Sequence, residues 1–452
     1  MKVLGLLVVF SLCLFVLSGA WGLEGIANLD RFYIPKNVMT LLEKNHFVIC
    51  PASHWQPFFV YEENAYQSIP NFVTIDSVLH LYHLFFNFAL RKLEEERILP
   101  LVEDFTRRLL YQTIKTYSSL QPGELKSAAL KNVAYTGVAA NLLGIKVSLP
   151  PDAQSLVTKE INLIKGKKGL LQSFIFPYAI DYTQFASRGH YARNENLKRY
   201  FMVMMWYGLV PFSPAYRDSN GNLRLSREVA LQAMLLVNDI YSHGLVNSWS
   251  RIFTPIGFFV GLSDDLTVKE VRDLMISIYG KKYKLKDLAD PGYLSLFIDR
   301  FIKLKKPKIK PKIAHLAGNL PSLPDPDSSQ FRMMGQRYTP DSEILQELAH
   351  PMKRPVPCGL DVMAVIGSKR ALEIIDDGYS VYGLPEEFKN VTWEEYAIKR
   401  EELKERFASL DESSWMSNIY LGWLWVLKGL FEPIGEEYPP FMRNSAWKDR
   451  IL

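Results

Sequence analysis

The stretch TIDSVLHLYHLFFNFALRKLE, residues 74–94, decides how this chain is to be read. At 100° per residue, Asp76, His80, His83, Asn87 and Glu94 fall within about 40° of one line along a helix, with Arg91 beside it. From Val78 to Leu90 every other position is apolar or aromatic. A helix apolar on all faces but one narrow stripe is expected to be buried, its stripe reaching solvent through a slot or lining an internal polar site. Thr74 is placed to act as N-cap, and Asp76 then puts a carboxylate in the first turn, at the positive end of the dipole.

Working outward, the 452 residues allow two or three domains or one large helical body. Hydrophobic content of 48% and charged content of 22% are ordinary for a globular protein. The aromatic share of 13% points to thick cores or aromatic-lined clefts. The net charge of +5 is small for this size, and much of it sits in KLKKPKIKPK at 303–312, so nucleic acid is not an expected partner. Met1–Ala20 reads as a secretory signal: Lys2 as the positive start, Val3–Leu17 as the apolar run, Ser18-Gly19-Ala20 as the cleavage site. The expected location is secreted, periplasmic or cell-surface, with membrane contact only through that segment if it is not cleaved. Cys50 and Cys358 then remain, able to form one disulfide or to stay as two buried thiols.

Helical signals dominate the rest of the chain. Short helical spacing is read after Pro35, then an irregular aromatic loop over 51–70, then helices from about Pro100 to Leu120, Glu124 to Leu143 and Ala153 to Ile164. Asn194 or Asn196 starts a helix that Gly208 closes, Ser226–Tyr241 is helical, and Trp249–Leu262 reads as extended or turn-rich. Thr267-Val-Lys-Glu270 is a capping box opening a helix to Tyr279. Further helices are read over 288–302, near 340–349, from about Leu360 to Asp376, from a capping box at Thr392 to Leu410, and from Ser413 or Ser414 through WMSNIYLGWLWVLKGLF. The expected class is mainly α: a multi-helical globular array with irregular aromatic-rich loops and little or no β. Its expected divisions are a helical domain over 21–302, a basic, proline-rich linker over 303–330 and a helical C-terminal region over 331–452.

Several long phrases occur together: NHFVI at 45–49, NFVTIDSVLHLYHLFF at 71–86, DYTQFASRGHYAR at 181–193, LKRYFMVMMWYG at 197–208, FFVGLSDDLT at 258–267, FRMMGQRYTPDSEIL at 331–345 and CGLDVMAVIGS at 358–368. In this order they resemble a secreted prokaryotic family known as domain of unknown function family 3160. The resemblance implies a mainly helical, extracytoplasmic protein and no particular activity. It also implies a longer chain, continuing past the Ala446-Trp447 region where this sequence ends.

The candidate chemistry starts on the stripe. His80 and His83, at i and i+3, can face one cation, with Asp76 a turn earlier, so a divalent metal held by Asp76, His80 and His83 is one reading. The other is that Asp76 supports the helix start while the histidines hydrogen-bond within a core. Arg188-Gly189-His190 is a second candidate: a glycine between a cation and an imidazole lets backbone and side chains approach a ligand, with Tyr191 as a stacking surface. A structural turn held by Arg188 is its alternative. Arg332, Gln336 and Arg337 form a third cluster, able to bind anionic substrate groups, or, for Arg337, to pair with Asp341 or Asp361. Asp264 and Asp265 read as acids serving the following capping box. His80, His83 and His190 are the candidate catalytic residues. No GxSxG, Walker loop, GxGxxG or CxxC pair occurs. The functional expectation is a secreted hydrolase or lyase with a site between helices, acting on a small-molecule or polymer ligand; its rival is a non-enzymatic binding or surface-interaction protein.

Overall fold

The computed structural model describes residues 29–49, 53–56, 58–310, 321–349, 357–382, 393–431, 434–445 and 447, leaving aside the side chains of Asp76, 376–382 and 393–394. Residues 1–28, with the expected signal segment among them, as well as Cys50 and the middle of the expected linker, lie outside the described residues. The class is mainly α, as expected. The first elements are α1 (Lys36–Asn45), α2 (Phe59–Tyr66) and α3 (Ile75–Leu93), the last running into a π-helical turn, Glu94–Ile98, and then α4 (Leu99–Ser119). Next come α5 (Glu124–Leu142), α6 (Pro151–Gly166), the strands β1 (Leu170–Gln172) and β2 (Ala179–Asp181), and α7 (Glu195–Leu209). The hairpin of β3 (Ala215–Arg217) and β4 (Leu223–Leu225) leads to α8 (Arg227–Ser242), α9 (Val246–Val260), α10 (Val268–Tyr279) and α11 (Pro291–Phe301).

One large core joins α4 to α11. Its centre is α5 and α8, apolar all round and therefore enclosed: on α8 nearly every side chain from Val229 to Ile240 is buried. Small residues let α5 approach its neighbours. At Gly137 an added Cβ would lie 2.9 Å from Val157 on α6. The Trp206 indole of α7 donates to the Tyr135 carbonyl of α5 at 3.0 Å, so the largest buried side chain satisfies its one polar atom. Caps read from the sequence are present: Asn194 and Ser226 accept from Leu197 and Val229 backbone N–H groups, and Thr267 with Glu270 forms the capping box of α10.

After α11 the described parts of the basic segment are pinned to this core. Asp264 accepts from the backbone N–H groups of Lys308 and Ile309 at 2.6 and 2.9 Å, and β5 (Leu323–Pro324) pairs antiparallel with β3. Phe331 and Met333 complete the core. A second cluster then forms from α12 (Pro340–Ala349), α13 (Gly359–Ile366), α15 (Trp393–Ala408), α16 (Glu412–Trp415) and α17 (Ile419–Gly429), with α14 (Lys369–Tyr382) and α18 (Pro440–Arg443) beside them in sequence.

Five local expectations are corrected. Residues 51–70 include a helix, α2, and 249–262 is mostly helical rather than extended: α9 continues straight through Pro255. The helix read over 360–376 breaks at Gly367, whose φ of +126° ends α13. The last strong helix is two, because Asp411 caps α16 and Asn418 caps α17. Last, α3 is not a buried helix: Val78, Leu81, Leu84, Phe85 and Phe88 are all exposed.

Candidate functional site

The centre of the molecule's most unusual chemistry is the π-turn between α3 and α4. Its cause is visible in the sequence. Pro100 has no N–H to offer the Glu96 carbonyl four residues back, so the regular ladder loses a bond here and the helix is free to widen. Upstream the helix widens, and the Leu99 N–H donates to the Glu94 carbonyl across five residues. Widening turns Glu94 inward, and its side chain is only 5% exposed.

A buried carboxylate needs donors, and two aromatic side chains supply them. The Nε2 atom of His190 lies 3.0 Å from Glu94 Oε2, and the Tyr191 hydroxyl donates to Oε1 at 2.8 Å. Tyr200 of α7 lies close enough to the same carboxylate for the Glu94 charge to act on its hydroxyl. Burial, and after it the Glu94 charge, pushes the Tyr191 and Tyr200 hydroxyls up, so both remain protonated. The ring of His190 packs 4.0 Å, centroid to centroid, from that of Tyr191 and is 21% exposed. Its Nδ1 has no hydrogen-bond partner among the described residues.

The short 3₁₀ turn Gly189–Ala192 sets this geometry, with Gly189 at φ +58°, a conformation only glycine takes without strain. Asn194 then ties the turn to the π-helix: its Nδ2 donates to Glu95 at 2.9 Å while its oxygen caps α7. Arg188 is exposed at the mouth.

Arg337 lies on the other side of Tyr200, close enough to lower that hydroxyl. Its guanidinium rests 4.1 Å from the centroid of the Phe253 ring, and both Nη atoms are buried without a hydrogen-bond partner among the described residues. Burial pulls its pKa down to about 10, which leaves the cation intact at neutral pH. The expected pairing of Arg337 with Asp341 or Asp361 is not made. Asp341 lies at the Tyr420 hydroxyl, and Asp361 accepts from the Cys358 backbone N–H and from Tyr396.

The remaining candidates are dispersed. Arg332 forms a buried ion pair with Asp265 and donates to the Leu209 carbonyl, so Asp265 anchors the core strand rather than serving only the next helix. Arg332 and Gln336 both line a cleft of about 550 Å³, together with Asp181, Gln184, Arg217 and Lys310. His80 and His83 are exposed on α3, about 21 and 16 Å from Glu94 along the helix axis at 1.5 Å per residue. His80 packs on Phe58, and His83 Nε2 meets Asn87 Nδ2 at 2.9 Å. Thr74 holds the N-cap position, but its hydroxyl meets Ser77 Oγ at 3.3 Å instead of a backbone N–H. The Asp76 side chain lies outside the described residues, and among those described no three His, Cys, Asp or Glu side chains gather as a metal site. The structure thus joins His190 and Tyr191, sets Arg337 near them, and holds His80 and His83 apart.

Sequence reasoning places Glu94 on the polar stripe but gives it no role. The usable signal is a triple-acid run four residues before a proline within a helical pattern. Tyr200 carries no signal, being one of many aromatics in its helix. Comparison with curated proteins and with solved structures returned no match. The chain belongs to the family described as "Protein of unknown function (DUF3160)", which it matches over residues 36–452.

Proposed function

We propose that this protein is an extracytoplasmic acid–base enzyme, a hydrolase or lyase, in which His190 moves the proton and Glu94 holds and charges the imidazole. The observation that carries this reading is the pairing of a buried carboxylate with a partly open histidine. If His190 donates its Nε2 proton to Glu94, the lone pair is on Nδ1, which has no partner among the described residues. The Glu94 charge then stabilises the imidazolium formed when Nδ1 accepts a proton, and the protonated Tyr191 hydroxyl keeps the carboxylate in place. Arg337, an uncompensated cation near the dyad, favours negative charge developing nearby. A π-turn as the source of the carboxylate also agrees with a functional role, since such distortions concentrate at sites. The location rests on the Met1–Ala20 segment.

The test is turnover by the full chain on panels of glycosides, esters, peptides and acidic polysaccharides, repeated with His190→Ala and Glu94→Gln. Expected is a turnover that falls by roughly 10²- to 10⁴-fold in both variants while each stays folded at the assay temperature. Any turnover indifferent to both substitutions sinks the reading. The rival, a binding protein in which Glu94 only anchors packing, draws on the two donors that hold the carboxylate. It predicts the opposite pattern: no turnover, and a marked fall in melting temperature for His190→Ala.

A further inference from the structure

The π-turn faces two ways. Glu94 turns towards α7, whereas Arg97 turns towards α9, where a groove of about 830 Å³ opens. One wall is the ridge Leu93, Arg97, Leu101; the other is Arg251, Pro255 and Phe258 on α9. Phe86 meets Phe259 at 6.0 Å between ring centroids, and Arg108 reaches Ser248 at 3.3 Å, so α9 runs antiparallel to the α3–α4 ridge. That register sets Arg97 across from Phe253 and Thr254, within a turn of Arg251 on the same groove, with Leu93, Pro255 and Phe258 continuing towards the α3 end.

Neither Arg97 nor Arg251 has a hydrogen-bond or ion-pair partner among the described residues. The nearby acids are engaged elsewhere: Glu96 with Lys92 at 2.6 Å, Asp104 with Arg108 at 3.5 Å, and Glu95 with Asn194. Among the described residues no acidic side chain lines the groove. Phe258 is 60% exposed, although it sits beside apolar neighbours that could cover it. The groove therefore combines two uncompensated guanidinium groups with an adjoining apolar trough. Guanidinium groups bind carboxylates through paired, charge-assisted hydrogen bonds, and the trough offers an alkyl chain a surface on which to leave water.

We infer that the groove between the π-turn and α9 is a binding site for a single-chain anionic amphiphile, its carboxylate held between Arg97 and Arg251 and its chain laid along Leu93, Pro255 and Phe258. This site is independent of the Glu94–His190 chemistry. The full chain is titrated calorimetrically with sodium dodecanoate below its micelle concentration. Dodecanol and dodecyltrimethylammonium serve as tails of the same length without the anion, and phosphatidylglycerol vesicles as a bilayer. Expected is saturable one-to-one binding of dodecanoate, weakened about tenfold or more for both matched tails. The double variant Arg97→Glu with Arg251→Glu loses a similar factor, as in smaller measure do Arg251→Gln and Phe258→Ser, all with unchanged melting because these side chains are exposed. Equal affinity for dodecanol, indifference of the arginine variants, or vesicle binding without binding of monomeric dodecanoate overturns the assignment.

Discussion

Helices α3 and α8 are similarly apolar in sequence, yet the molecule treats them in opposite ways. On α8 the side chains from Val229 to Ile240 are almost wholly enclosed by α4, α5, α10 and α11. On α3 the stripe Val78, Leu81, Phe85 and Phe88 faces outward, with Phe85 63% exposed. Two contacts show what α3 does have. Tyr82 donates to the Ile419 carbonyl at 2.9 Å and stacks on Trp423, and Phe86 meets Phe259 and Tyr420. The lesson is that apolarity supplies a driving force, while burial requires neighbours on every apolar side. A continuous exposed face of this kind is characteristic of surfaces that meet a partner.

The sharpest way to break this comparison is to cut equal side chains from the two helices. Leu235→Ala on α8 is expected to cost about 2–5 kcal/mol in urea unfolding, because it removes contacts and leaves a cavity. A loss below about 1 kcal/mol would put α8 on the same footing as α3. The second test uses pH. Asp239 on α8 is buried, with one oxygen accepting from Thr116 at 2.6 Å, and burial raises its carboxyl to about 7. The folded state then holds a proton that the unfolded chain releases near its ordinary value of 3.8. Stability contributed by the neutral form is therefore complete below about pH 4, falls as the pH rises towards 7, and is gone above it. The upper bound is about 4 kcal/mol at 1.36 kcal/mol per unit. Asp239→Asn should flatten that slope and raise the melting temperature above pH 7; an unchanged slope would place the titration elsewhere.

Between the two regimes lies the π-turn. Glu94→Ala strands the donors of His190 and Tyr191, and a loss of about 1–3 kcal/mol is expected by chemical denaturation. A neutral result would mean that water replaces the carboxylate without cost. The smallest effect belongs to α3 itself: Phe85→Ser should shift stability by no more than about 0.5 kcal/mol. A loss comparable to that of Leu235→Ala would show that the exposed face is covered in solution.

Much of the fold is legible in the sequence because its signals are local. Asn194, Ser226 and the Thr267–Glu270 box each cap the helix that their spacing announces. Pro255 misleads because a single proline inside a helix costs one hydrogen bond and leaves enough packing for the helix to continue. Of the site, His190, Tyr191 and Arg337 are legible as residue types near glycine or in a polar cluster. Glu94, the partner of His190 and Tyr191, is not, since it joins them from about a hundred positions away through a π-turn whose rotation no regular period describes.

By itself the sequence determined the helical class, most helix starts and the apolar character of α3 and α8, because propensity, capping and hydrophobic period act within a few turns of chain. Only the tertiary structure decided which apolar helix is enclosed, which carboxylate meets His190, and that Arg337 is buried without a counter-charge among the described residues. Those outcomes depend on which distant surfaces meet and on the charge left over when they do, and neither quantity is carried by any local window of residues.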